Sequence, residues 1–174
     1  MTGRERQLAA LRHEIADRIP LDAICVENAG EIAAALGLAP EAVADRLGLD
    51  GRIIGPGYAG EAATLPDGTL LNPWGTPDTG DYGTTKWNPL ADADGVAAVE
   101  RYRWPDPEAF TVDSAAAAAR ALGRTSALRG PYWLPVFCRV CDLFGMEEAM
   151  ARLLTEPAVF EAAMARVTDI VAAV

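Results

Sequence analysis

The chain has 174 residues, 51% hydrophobic and 23% charged, the make-up of one soluble globular domain with its own core. Fifteen Lys and Arg against 25 Asp and Glu give a net charge of −10, which repels phosphate backbones and anionic headgroups and so argues against nucleic acid or a membrane surface as partner. The opening MTGRERQLAALRHE lacks an apolar h-region, and no apolar run approaches the roughly 18 residues of a membrane span, so a cytoplasmic location is expected.

Thr2 and Glu5 have capping-box spacing, and Leu8 with Leu11 gives a short apolar stripe, predicting a helix to about Glu14 with His13 on it. His13, far from any strand end, reads as a packing or surface residue. Residues 19–26, IPLDAICV, form a short apolar run that predicts a first buried strand. Asn28 and Glu31 repeat the capping-box spacing before a helix that Gly37 ends, and Pro40 opens another that Gly48 closes.

RIIGPGY, from Arg52, predicts a second strand that turns at its Gly-Pro-Gly end. Pro66-Asp67-Gly68 is turn chemistry between two short extended arms, an exposed hairpin. Asp94 is placed to cap a short helix carrying Val96, Val99 and Tyr102, and Pro105 and Pro107 forbid its continuation. The resulting WPDP segment, with Asp106 capping the local turn, is expected to be a rigid strap with no catalytic part.

An alanine-rich stretch from Asp113 to Leu122 predicts a helix ended by Gly123, and SALRGPYWLPVF, from Ser126, predicts a third strand. Two helices follow, Cys141 to Leu154 and Glu156 to Val174, the second with Phe160, Met164, Val167 and Val171 on one face. Alternation of strands with helices indicates an α/β protein.

The segments GRERQLAALRHEIADRIPLD (3–22), APEAVADRLGLDGRIIGP (39–56), LPDGTLLNPWG (65–75) and NPLADADGVAAVERYRWPDPEAF (88–110), in this order, resemble the amino-terminal half of the uroporphyrinogen decarboxylase family. The resemblance implies a (β/α)8 TIM barrel with its site at the carboxyl ends of the strands. About three barrel strands plus a β-hairpin insert are expected from residues 1–174, as one incomplete domain. A whole barrel runs to roughly 250 residues, so the chain reads as the amino-terminal part of a longer enzyme, inactive by itself.

The family includes true decarboxylases of porphyrin biosynthesis and zinc methyltransferases acting on corrinoid cofactors. The DG hairpin and WPDP strap look like the methyltransferase-like branch. The resemblance to true decarboxylases calls for an arginine-bearing stretch after strand one and an aspartate at the end of strand two. Here no arginine lies between Arg18 and Arg46, and the aspartate position falls near Gly57. The His-x-Cys pair of the methyltransferases is also missing from these 174 residues. The resemblance therefore implies zinc and a corrinoid only for a full-length protein, with none bound by this chain alone, and a small-molecule or corrinoid-protein substrate.

Near the expected strand exits lie Glu27, Asn28, Tyr58, Trp133, Phe137 and Arg139, the substrate-binding candidates; no catalytic residue is assigned. Capping or core packing is the competing role for each. Arg139 could hold a carboxylate or phosphate with two N–H groups, or pair with Asp142 or Glu147. Cys138-Arg-Val-Cys141 has metal or redox spacing, but its partners would be Cys25 and His13, remote in sequence, so two buried helical thiols are expected. Two other functions stay open: true decarboxylation of uroporphyrinogen, and a non-catalytic binding or assembly module whose open strand edges would favour a homodimer.

Overall fold

The computed structural model describes residues 1–23, 26, 28–61, 63–77, 87–130 and 136–174. Eight α-helices are present among them: α1 (Gly3–Leu11), α2 (Ala29–Leu36), α3 (Val43–Arg46), α4 (Val96–Arg101), α5 (Asp113–Leu122), α6 (Val136–Phe144), α7 (Met146–Thr155) and α8 (Pro157–Ala173). The strands are short: β1 (Gly51–Ile53), β2 (Gly57–Tyr58), β3 (Ala63–Thr64), β4 (Leu70–Leu71), β5 (Phe110–Thr111) and β6 (Ala127–Arg129). They form three two-stranded sheets, so the fold is mixed α/β without a closed barrel among the described residues. None of the described helices is long and apolar enough to cross a membrane. The chain divides into two compact units, one of residues 1–57 and 112–132, the other of residues 58–111 and 133–174.

In the first unit, Thr2 caps α1 as its spacing predicts. Its Oγ1 accepts from the Glu5 N–H at 3.2 Å while its own N–H donates to Glu5 Oε2 at 2.8 Å. The helix stops at Leu11, three residues short of the expected end, and His13 lies beyond it in the left-handed region at φ 58°. The inward side chains are Arg6 and Ala9, whereas Leu11 is exposed. A buried carboxylate explains this inversion: Asp50, 3% exposed, draws the Arg6 guanidinium inward, Nη1 to Oδ1 2.5 Å.

The first expected strand does not form among the described residues of 19–26. Pro20 has no N–H to give a ladder, and the Leu21 N–H goes to the Asp50 carboxylate at 2.8 Å. Ile19 is exposed in consequence. Parts of the second and third expected strands are present as β1 and β6, residues 131–135 of the third lying outside the described residues, and the two pair in parallel with Gly51 opposite Ala127, Arg52 opposite Leu128 and Ile53 opposite Arg129. One further bond, Ile54 N–H to the Arg129 carbonyl at 3.0 Å, prolongs the pairing. The alanine-rich α5 leads directly into β6, and α1 packs against both strands. Asn28 precedes α2 without a side-chain cap bond, contrary to the capping box expected there, while Gly37 does end that helix in the left-handed region.

In the second unit, Asp67 closes the expected hairpin by accepting from the Thr69 N–H at 2.9 Å, and β3 pairs antiparallel with β4. Asn72 then folds the chain back: its Oδ1 accepts from the Trp74 N–H at 2.9 Å and its Nδ2 donates to Thr76 Oγ1 at 2.8 Å, which buries Trp74. Gly95, not Asp94, stands at the start of α4, with φ 106° and no side-chain cap. Asp106 caps the turn after the strap as expected, its Oδ1 accepting from the Glu108 N–H.

The expected helix from Cys141 to Leu154 is two helices. Its amino-terminal part begins earlier, at Val136, and Gly145 at φ 87° and ψ 142° separates α6 from α7. That conformation is open to glycine and strained for other residues. Helices α6, α7 and α8 pack together around Val140, Leu143, Phe144, Ala149, Phe160, Ala163 and Val167, joined by Val99 of α4. Burial of these side chains is the main driving term for this unit, roughly 1.5–3 kcal/mol for each large one. Arg152 of α7, 6% exposed, donates from Nη1 to the Ala93 carbonyl at 2.8 Å and from Nη2 to that of Ala91 at 3.0 Å, fixing the segment that leads into α4.

Candidate functional site

Two places gather polar chemistry, one in each unit. In the first, the carboxyl end of the parallel pair carries Arg129, the last residue of β6. Its Nε stands 3.1 Å from Asp22 Oδ2, and Nη2 donates to Asp22 Oδ1 at 3.1 Å and to the Ala23 carbonyl at 2.7 Å. The Asp22 carboxylate sits against β1 at Gly51: a Cβ added there would fall 2.6 Å from both of its oxygens. Here a cation stands where parallel α/β folds collect ligands, but the Asp22 carboxylate already faces its Nε and Nη2.

In the second unit a cavity of about 330 Å³ is lined by Asn88, Cys141, Asp142, Phe144, Gly145, Met146, Glu147 and Glu148. The break at Gly145 creates it, because the chain turns away from α6 before α7 begins. Asn88 spans the gap, donating from Nδ2 to the Asp142 carbonyl at 2.8 Å. Burial raises the Asp142 carboxyl above its usual range, opposed by the Arg139 guanidinium, whose Nη1 is 3.3 Å away. Burial also pushes the Cys141 thiol up to about 11, with Cys138 and Asp142 adding to the shift, so this sulfur is a protonated wall of the cavity at neutral pH.

Of the residues singled out from the sequence, Phe137, Cys138, Arg139 and Cys141 share α6. Arg139 pairs with Asp142, both partly buried, and lies 5.5 Å from the centre of the Trp74 ring, a cation–π contact. Phe137 is 39% exposed, its ring 6.1 Å from that of Phe160. Tyr58 packs on Phe110 at 4.8 Å, and Asn28 is exposed at the start of α2 in the other unit. Glu27 and Trp133 lie outside the described residues, as does Cys25.

Cys138 and Cys141 are free thiols. Among the described residues no three His, Cys, Asp or Glu side chains stand where they could hold one metal ion; Cys25, the remaining thiol, lies outside them. Asn88 and the Gly145–Glu148 turn are not among the site residues expected from the sequence. The Asn88-Pro89 dipeptide and the isolated Gly145 are the signals that could have found them. Compared with known proteins, the chain matches no family model, no curated protein and no solved structure.

Proposed function

We propose that these residues supply βα units of a uroporphyrinogen-decarboxylase-family barrel of the methyltransferase-like kind, in which a methyl group passes between a corrinoid and an acceptor. The observation that carries the reading is the in-register parallel pairing of β1 with β6, with α5 leading into β6 and α6 following it. Consecutive strands of a parallel barrel are laid side by side in this way, with a helix entering and leaving each. The ordered motifs at 3–22, 39–56, 65–75 and 88–110 support the same assignment.

Decarboxylation of a porphyrinogen is the weaker reading because the sequence has no arginine between Arg18 and Arg46, where the resemblance calls for the carboxylate clamp. The cation at the β6 exit, Arg129, is paired with Asp22, and the aspartate that the family resemblance calls for would fall near Gly57. Among the described residues no three sulfur, imidazole or carboxylate groups are arranged to hold the zinc that thiolate chemistry would need. No step through the metal is assigned to them. Their part is to form the strand exits and to hold a small-molecule or corrinoid-protein substrate against them.

The test uses the product of the complete reading frame that contains these residues, incubated with methylcobalamin, zinc and a thiol. Zinc-dependent loss of the methylcobalamin spectrum with formation of the thioether supports the proposal. Conversion of uroporphyrinogen to coproporphyrinogen, with the methylcobalamin left intact, opposes it.

A further inference from the structure

We propose that Cys138 and Cys141 are a reversible dithiol–disulfide pair whose closure loosens α6 and alters the wall of the cavity beside Asn88. The two residues are one helical turn apart on α6, and only the first is accessible. Cys138 is half-buried, whereas Cys141 is 3% exposed, belongs to the core cluster and lines the cavity. Cys138 is therefore the sulfur that meets a reagent, and Cys141 the one that completes the bond.

Side chains three residues apart on a helix have Cβ atoms about 5–6 Å apart, but a disulfide needs about 3.5–4.5 Å. Closure thus requires the first turns of α6 to move and Cys141 to leave its place beside Val140, Leu143 and Phe144. A bond formed against that resistance is easily reduced, which is the property of a regulatory rather than a structural disulfide.

The oxidant is a low-molecular-weight disulfide. The Cys138 thiolate attacks one of its sulfurs, forming a mixed disulfide and expelling one thiolate. Cys141 then loses its proton to water and attacks Cys138 Sγ, expelling the second thiolate. The protein gives up two electrons and two protons, and the small disulfide becomes two thiols.

The test uses the chain with Cys25→Ser, so that only this pair can react, equilibrated with oxidised glutathione and digested with trypsin under non-reducing conditions. Cleavage after Arg139 separates the two cysteines into peptides 130–139 and 140–152. The proposal expects these peptides to remain joined, to separate after dithiothreitol, and the oxidised protein to melt about 2–4 °C lower than the reduced. Separate peptides, whether unmodified or carrying glutathione, overturn it. So does a joined pair with an unchanged melting temperature.

Discussion

Leu21 and Asp50 hold each other twice: the Leu21 N–H donates to Asp50 Oδ2 at 2.8 Å, and the Asp50 N–H donates to the Leu21 carbonyl at 2.7 Å. Arg6 and Arg18 complete the cluster, with Arg18 Nη1 2.8 Å from Oδ2. One buried carboxylate thereby ties α1, the segment before Asp22 and the entry to β1 into a single unit, and a buried charge is tolerated there because cations and an N–H surround it.

This cluster sets the response of the first unit to acid. Burial alone would raise the Asp50 carboxyl, but the Leu21 N–H and the Arg18 and Arg6 guanidiniums outweigh it and hold it below the usual range; hydrogen bonding to Arg6 does the same for Asp17. A carboxyl lowered on folding stabilises the folded state above its unfolded pKa, near 4, and that stabilisation is lost as pH falls through the folded value. Melting followed by circular dichroism should be level from pH 8 to 5 and fall below about pH 4. Asp50→Asn should melt lower at neutral pH and show a shallower acid decline; an unchanged decline would mean that other carboxyls govern it.

The Asp22–Arg129 pair should couple to Gly51. Gly51→Ala brings a methyl against the Asp22 oxygens and must displace them from Arg129. In Asp22→Ala the carboxylate that this methyl would meet is gone. A double-mutant cycle by urea denaturation should give a coupling of about 0.5–3 kcal/mol, and additive effects would contradict the geometry.

At the junction of α6 and α7, Gly145→Ala should destabilise by about 1–3 kcal/mol, because its backbone conformation suits glycine and the new Cβ would stand 3.1 Å from Asn88 Oδ1. Equilibrium unfolding measures the loss. A neutral substitution would show that the break between the helices is not enforced here.

Arg152→Met keeps the aliphatic stem but leaves the Ala91 and Ala93 carbonyls without their donors. The expected cost is about 1–3 kcal/mol in urea denaturation, with Arg152→Lys recovering part of it, since one ammonium cannot reach both carbonyls as the guanidinium does.

Local signals in the sequence carried well where a residue acts on its own neighbours. The Thr2–Glu5 box, the Asp67-Gly68 turn, the Asp106 cap and the alanine-rich α5 all lie where their side chains place them. Periodicity failed where a distant group intervened. Residues 19–26 have strand composition, but Asp50, about 29 residues on, takes the Leu21 N–H, and Arg6 displaces Leu11 from the inner face of α1. The cavity was hidden for the same reason: Asn88 and Asp142 are 54 residues apart, and only the turn at Gly145 opens the space beside them.

The most direct measurement is methyl transfer by the product of the complete reading frame, followed by the spectrum of methylcobalamin with a thiol acceptor, with and without zinc. The account predicts zinc-dependent loss of the methyl group from cobalt and its appearance on sulfur. An intact methylcobalamin spectrum under every condition, with or without coproporphyrinogen formed from uroporphyrinogen, would contradict it.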